Sequence, residues 1–167
     1  YSIRMAAQIS HIVAGEAAFL AATGREAASL GEEASKAFCL GCQGPDLFYH
    51  NQRTRPSGLH YGVLAHRRRY GSLVAGAAAS LPPAERRPDS PAGAYLLGMA
   101  THAAVDRATH PFVLCFAGAA VPGAAAQGGR GGRREPDAER RRGCHPFLER
   151  ILDAALLRVR FGSEPGR

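Results

Sequence analysis

The chain has 167 residues, of which 46% are hydrophobic, and this length is typical of a single domain with a sizeable core. Its formal charge is +7, yet all but one of its 21 Lys and Arg residues are arginine. Many of these arginines lie in two separate runs, at 67–69 and 130–142, so we do not expect one continuous basic surface. This distribution gives only weak support for attraction to nucleic acid or to anionic lipid.

No segment is apolar for long enough to cross a bilayer, because Gln8, His11 and Glu16 interrupt even the first apolar helix. The first residues also lack the charged region and the long apolar block of a secretory signal. The sequence therefore predicts a cytoplasmic protein.

The four cysteines are too few for a disulfide scaffold of this length. Cys39 and Cys42 form a Cys-x-x-Cys motif, which could be half of a zinc ribbon or a redox pair. No second such pair exists to complete a ribbon. We therefore predict that both are ordinary buried thiols.

Neither a repeat nor a strand-like alternation of any length occurs, so the sequence predicts an all-α fold with one domain, residues 1–167. The first helix is predicted at Met5–Ala22 and the second at Arg25–Phe38. A loop with Gly44-Pro45-Asp46 follows. A third helix is predicted to end at Ser80, before two prolines.

The central helix is predicted to begin near Ala92 and to end at His110, because Pro111 cannot continue the helical hydrogen bonding. Residues 118–143 are rich in Gly, Ala and Arg and are predicted to form a flexible loop. The last helix is predicted to start at Pro146, with His145 as its cap, and to end at Phe161.

Three ionisable residues of the central helix, His102, Asp106 and His110, follow one another at four-residue spacing and so share one face. Each alone is more often satisfied by a local hydrogen bond. Together, on the apolar side of a helix, they are costly to bury unless they are paired or bound to a metal ion. The spacing therefore favours a metal site, and the helix end predicted at Pro111 would let His110 bind a separate ion.

Further candidate ligands lie earlier in the chain. His11 lies among the apolar positions of the first helix, and Asp46 lies in a glycine-lined apolar loop, where an aspartate commonly caps a turn. His60 and His66 flank the start of the third helix, and we favour His66 of the two. In the last helix, His145 and Glu149 stand four residues apart, which is a weak signal by itself.

In their order along the chain, these motifs resemble the bacterial zinc-dependent phospholipase C family. The motifs are Gly44-Pro45-Asp46, the histidine-led third helix, His102-x-x-x-Asp106 with His110-Pro111, and His145-x-x-x-Glu149. The resemblance covers roughly Met5 to Leu156. It implies an all-α bundle that binds three zinc ions in a central cleft.

The resemblance also implies a role for each candidate ligand. Asp46, His66 or His60, His102 and Asp106 would form the first site, and His110, His145 and Glu149 the second. His11 would contribute to a third site, with Asp106 as the bridging ligand. In secreted members the free amino terminus completes that third site, and the short spacing before His11 departs from this arrangement, so we expect two or three Zn²⁺ ions.

Imidazoles and carboxylates together suit zinc better than calcium, which prefers oxygen ligands alone. Zinc ions close together can bind phosphate oxygens and lower the pKa of a water molecule, so the expected reaction is phosphodiester hydrolysis. Asp46 is the candidate to orient or deprotonate the attacking water. The expected substrate is a phospholipid or another phosphodiester, with transient contact at a membrane surface.

Two alternatives remain open from the sequence. A single-strand nuclease of the P1 type uses a similar trinuclear site, but this chain has no tryptophan and few aromatic residues for base stacking. A non-catalytic helical protein could hold zinc as a structural element, with every coordination position filled by the protein.

Overall fold

The structure is a computed structural model that describes residues 8–51, 53–67, 69–119 and 136–162. The described residues form α-helices and short 3-10 helices and contain no strand, which confirms the predicted all-α fold. The α-helices are α1 (Gln8–Thr23), α2 (Glu32–Cys42), α3 (Gly58–Arg67), α4 (Tyr70–Ser80), α5 (Pro91–Ala119) and α6 (Pro136–Phe161). In this part of the chain, no helix is long and apolar enough to cross a membrane.

The chain divides into two compact units, Ser10–Asp106 and the combination of Tyr1–Ile9 with Arg107–Arg167. The single domain predicted for residues 1–167 stays a prediction.

The core of the first unit is a cluster of small and aromatic residues from α1, α2 and α5. Phe19 and Phe38 meet edge to face with ring centroids 5.5 Å apart, and Ala34, Cys42 and Ala94 fill the space around them. Such aromatic pairs stabilise a core beyond the area that they bury. The cluster fixes α1, α2 and α5 against one another.

Gly98 of α5 allows a close approach of α5 to α2. A Cβ atom at this position would collide with the carbonyl oxygen of Phe38 and would lie 2.7 Å from the backbone nitrogen of Cys42. These are backbone atoms, which cannot move aside cheaply. The absent side chain therefore brings the C-terminal end of α2 to the turn of α5 that carries His102.

Several predicted boundaries are wrong in the first unit. The predicted second helix begins at Glu32, after a 3-10 turn at Ala27–Ser29, and continues to Cys42. The predicted loop around Asp46 is a 3-10 helix, Gly44–His50. The predicted third helix is two helices, α3 and α4, and Arg69 between them has a left-handed backbone with φ of 55°.

The structure also corrects both predictions that relied on a proline in the second unit. Helix α5 does not end at His110 but continues through Pro111 to Ala119. Pro111 is exposed, and so is Arg107, whose carbonyl loses its helical partner and can bind water instead. Helix α6 begins at Pro136 and not at Pro146, so His145 lies inside a helix and is not its cap.

The loop predicted at 118–143 is therefore shorter than expected. Residues 118–119 and 136–143 have helical backbone, and residues 120–135 lie outside the described part of the chain. The predicted first helix starts at Gln8 in the structure, and Met5 also lies outside the described residues.

Candidate metal centre

His102 is buried on α5 and its ring is oriented by the end of α2. Its Nδ1 atom donates a hydrogen bond of 3.1 Å to the backbone carbonyl of Cys42. In a neutral imidazole this leaves Nε2 without a proton, which is the form that binds a metal ion. Nε2 lies 3.4 Å from Oδ2 of Asp106, one helical turn further along α5.

His66 on α3 is held in the same way. Its Nδ1 atom donates to the carbonyl oxygen of Gly62, at 2.8 Å, and its Nε2 atom lies 3.0 Å from Oδ1 of Asp46. Asp46 comes from the 3-10 helix that follows α2. His60, the alternative to His66, is exposed and its ring contacts Tyr61.

Four donor atoms thus point toward one another from three elements of the first unit: Asp46 Oδ1, His66 Nε2, His102 Nε2 and Asp106 Oδ2. Five of the six distances between them range from 3.0 to 4.0 Å. Donor atoms about 2.0–2.1 Å from a tetrahedral zinc ion lie roughly 3.3 Å from one another. The spacing of these atoms therefore fits a zinc ion.

The pairing of Asp46 with His66 leaves room for a proton or a cation between them. With the ring proton on Nδ1, His66 Nε2 and Asp46 Oδ1 are two acceptors that face each other at 3.0 Å. Within the described residues, no donor completes a hydrogen bond to this buried Asp46 oxygen. A buried acceptor without a donor is costly, and either a proton or a metal ion would relieve it.

The pKa of His66 follows from the same geometry. Burial alone would lower the pKa, but the Asp46 carboxylate, the Gly62 carbonyl and Asp106 outweigh it, so the net pKa is raised. The raised pKa means that, without a metal ion, the His66 imidazole more readily binds a proton and carries a positive charge beside the Asp46 carboxylate.

His11 extends the cluster from α1. Its Nε2 atom lies 3.4 Å from Oδ1 of Asp106, the second oxygen of that carboxylate. Its ring stacks on His102 with centroids 4.2 Å apart. His11, His102 and Asp106 form one group of potential metal ligands, and Asp46, His66 and His102 form another. Asp106 can therefore present one oxygen to each of two ions.

Gly44 leaves room for the His102 ring, a contact that sequence reasoning missed. The residue has a φ of +53°, and a Cβ atom there would lie 2.5 Å from Cγ and 2.6 Å from Cδ2 of His102. Position 44 requires glycine for two reasons: its backbone is left-handed, and the His102 ring occupies the space that a Cβ atom would need. The Gly44-Pro45-Asp46 motif was the signal in the sequence.

Tyr49 and Tyr70, two of the few aromatic residues expected near the mouth of the cleft, lie beside the cluster. The Tyr49 ring lies 5.5 Å from the His66 ring, and Tyr70 donates a hydrogen bond of 2.9 Å to the backbone carbonyl of Met99. Burial raises the pKa of Tyr70, so its hydroxyl stays protonated. Tyr49 lies three residues after Asp46 and Tyr70 four residues after His66. Neither tyrosine belongs to a motif that would mark it as part of the site.

The second unit holds a looser pair. His110 Nε2 lies 4.0 Å from Oε1 of Glu149, and the His110 side chain is 40% exposed whereas Glu149 is buried. Nothing of the His145 side chain is described, so the predicted grouping of His110, His145 and Glu149 stays a prediction. A buried carboxylate that we did not predict, Asp153, accepts a hydrogen bond of 3.2 Å from the backbone of Ile9. Its position four residues after Glu149 could have revealed it.

No cysteine thiol belongs to the donor groups found in the described residues. All four are free thiols, with Cys42 buried and Cys39 half-buried, close to the prediction of two ordinary thiols. Burial raises the pKa of the Cys42 thiol to about 11, so it is protonated near neutral pH. Nothing in the described residues brings a third ligand to Cys39 and Cys42.

Comparison with known proteins gives one match. Residues 10–149 match the model of the family described as zinc dependent phospholipase C. The chain belongs to the zinc-dependent phospholipase C family. The match runs from the first residues of α1 to Glu149 and so includes every candidate ligand described above. No curated protein and no solved structure matches the chain.

Membership of this family agrees with the all-α fold and with the donor cluster. The family is zinc-dependent by description, and imidazoles with carboxylates are suitable ligands for that ion.

Proposed function

We propose that this chain hydrolyses the phosphodiester bond of phospholipids at a zinc centre formed by Asp46, His66, His102 and Asp106. The observation that supports this most directly is the spacing of the four donor atoms, which fits bound zinc, together with His11 and the second oxygen of Asp106, which would leave positions on a further ion for water and phosphate. Family membership supports the general reaction.

We propose two or three zinc ions per chain. His11 and the second oxygen of Asp106 would contribute to a further ion, and His110, His145 and Glu149 to another. Bound zinc would supply a Lewis acid for the phosphate oxygens and lower the pKa of a water molecule.

The backbone carbonyls of Cys42 and Gly62 prepare the centre for this chemistry. By accepting the Nδ1 protons of His102 and His66, they fix both rings with Nε2 toward the donor cluster. Such outer contacts orient metal-binding imidazoles and raise their basicity. The ligands therefore need little rearrangement when an ion binds.

In the proposed reaction Asp46 orients the attacking water and accepts its proton. Its second carboxylate oxygen is not one of the four donor atoms. The water oxygen forms a bond to phosphorus as the ester bond between phosphorus and the leaving oxygen breaks, and that oxygen takes a proton from solvent. The products are an alcohol and a phosphate monoester.

Metal analysis of the purified protein, paired with hydrolysis of a chromogenic phosphodiester, tests the proposal. We expect two or three zinc ions per chain, activity that is lost with a chelator, and recovery when zinc is restored. A protein that purifies without metal and stays folded in chelator would overturn the zinc centre.

Two other outcomes would replace the enzymatic proposal. A protein that holds zinc but leaves every phosphodiester intact would have a structural centre. Faster cleavage of single-stranded DNA than of phospholipid would indicate a nuclease of the P1 type.

A further inference from the structure

Next to the donor cluster, the 3-10 helix Gly44–His50 and helix α3 expose apolar side chains. Phe48, Tyr61 and Leu64 are 45%, 47% and 47% exposed, and the rings of Phe48 and Tyr61 lie 6.2 Å apart. Tyr61 and Leu64 are three residues apart on α3 and so share a face. We call these three residues the α3 surface.

The α3 surface is coupled to the proposed centre through the elements that carry both. Phe48 follows Asp46 by two residues, and Leu64 precedes His66 by two. Gly62 packs against Phe48 and Tyr49, where a Cβ atom would lie 3.3 Å from each side chain, so α3 and the 3-10 helix are tightly joined. Anything that docks on the α3 surface therefore lies beside the donor cluster.

The charged residues of the segment that carries the α3 surface have one sign after Asp46. No Asp or Glu occurs between Asp46 and Glu85, whereas five arginines do, at 53, 55, 67, 68 and 69. Arg53, Arg55 and Arg69 are exposed. Apolar side chains within a purely basic segment complement a partner that is apolar inside and anionic at its surface.

Helix α4, which follows within the same segment, also has an exposed apolar side. It carries no charged residue and buries none of its side chains fully, and Leu73 is more than half exposed. The segment from Leu47 to Leu81 thus combines exposed arginines, Arg53, Arg55 and Arg69, with apolar residues on its helices, a composition typical of segments that lie in a membrane interface.

We propose that the α3 surface docks on an anionic phospholipid bilayer. Phe48 and Leu64 enter the boundary between headgroups and acyl chains, Tyr61 lies at headgroup depth, and Arg53 and Arg55 bind lipid phosphates. The role of this docking in catalysis rests on the proposed function, since it would bring lipid headgroups to the side of the molecule that carries Asp46 and His66. The docking itself does not.

Flotation with lipid vesicles tests the proposal on the zinc-loaded protein. Vesicles of phosphatidylcholine alone are compared with vesicles that also contain phosphatidylglycerol, at low and at high salt. We expect stronger binding to the anionic vesicles and a loss of that preference at high salt.

A matched pair of variants locates the surface. Leu64→Glu places a charge on the α3 surface, whereas Leu40→Glu makes the same change at a leucine of α2 that is 50% exposed and lies outside it. We expect Leu64→Glu to weaken vesicle binding roughly tenfold and Leu40→Glu to leave it unchanged. Equal helical content by circular dichroism ensures that both variants are folded.

The arginines have a matched control as well. Changing Arg53 and Arg55 together to Gln should abolish the preference for anionic vesicles, whereas Arg25→Gln, at another exposed arginine, should not. Equal effects of Leu64→Glu and Leu40→Glu, or no effect of either, would overturn the α3 surface. Tight binding to single-stranded DNA that competes with vesicles would overturn it in favour of a nucleic-acid surface.

Hydrolysis of a water-soluble chromogenic phosphodiester separates this inference from the proposed function. Leu64→Glu should retain hydrolysis of that substrate while losing hydrolysis of vesicle lipid. If no variant hydrolyses any phosphodiester but flotation behaves as described, the proposed function fails and the docking surface stands. If hydrolysis occurs and flotation is insensitive to these residues, the docking surface fails and the proposed function stands.

Discussion

His102 and His110 both lie on α5, about two helical turns apart, and their surroundings differ sharply. His102 is 1% exposed, its Nδ1 atom is held by the Cys42 carbonyl, and its Nε2 atom faces two carboxylates. The His110 side chain is 40% exposed, and its Nε2 atom lies 4.0 Å from Oε1 of Glu149.

The difference between the two regions indicates how each would bind a metal ion. In the first unit, packing and backbone hydrogen bonds hold the donor atoms at ligand spacing before any ion arrives. In the second unit, a half-exposed imidazole keeps more freedom, and an ion must order it at a cost in entropy. We therefore expect tight binding in the first unit and weaker binding in the second, and the following changes test that order.

Asp106→Asn should have the largest effect, because the two oxygens of Asp106 face three imidazoles, those of His11, His66 and His102. We expect zinc affinity to fall roughly 100-fold or more, since the negative charge and one of the two carboxylate oxygens are both lost. Zinc titration with a competing chelator measures the change. Glu16→Gln, at a half-buried carboxylate of α1 outside the donor groups, is the control, and equal losses in the two variants would contradict the assigned cluster.

Much of this cluster could be predicted from the sequence, because helical spacing is a local property. The four-residue spacing of His102 and Asp106 places both ligands on one face of a helix, whatever the helix packs against. Asp46 was predicted from its place after Gly44-Pro45. The choice of His66 over His60 agrees with the geometry, although periodicity alone did not decide it.

Other features could not be predicted, because they depend on what lies across from a residue. Pro111 lies inside α5 because that side of the helix faces water, and Pro136 starts α6 while Pro146 does not. Both prolines have the same local preferences, so the sequence could not rank them. The fit of His102 over Gly44 likewise joins residues that are far apart in the chain.

Gly44→Ala should have the next largest effect, because the new Cβ atom would push His102 away from the donor cluster. Gly24→Ala is a matched control, since Gly24 also has a left-handed backbone, with φ of +69°, but has nothing within 4 Å of the new atom. Both variants should lose about 1–2 kcal/mol of stability from backbone strain.

Only Gly44→Ala should also weaken zinc binding, by roughly 10-fold to 100-fold. Thermal unfolding of the metal-free protein measures the first effect, and the visible spectrum of the Co²⁺-substituted protein reports ligand geometry for the second. Equal zinc affinity in the two variants would show that Gly44 serves the backbone alone.

Glu149→Gln should have a smaller effect, confined to the second unit. We expect the loss of one ion from the total, or about tenfold weaker binding of the weakest ion, with the tight site unchanged. Isothermal titration calorimetry resolves the two classes of site. Loss of the tight site in this variant would remove the distinction between the two regions.

The pH dependence of zinc binding should show the smallest effect. The pKa of His66 is raised, and zinc binds only the neutral ring, so the apparent affinity of the tight site should fall several-fold from about pH 8 to about pH 6. Folding stability of the metal-free protein should change with pH in the opposite direction. The raised pKa of His66 stabilises the folded state at low pH, and this contribution is lost as pH rises through the folded pKa. Affinity that does not vary with pH would contradict the facing pair of Asp46 and His66.

The most direct test of the donor cluster is the position of zinc in crystals of the zinc-loaded protein, located by anomalous diffraction at the zinc edge. We predict the strongest peak among Asp46 Oδ1, His66 Nε2, His102 Nε2 and Asp106 Oδ2, at about 2.0–2.2 Å from each. A strongest peak at any other place, with these four side chains joined by hydrogen bonds alone, would contradict the account.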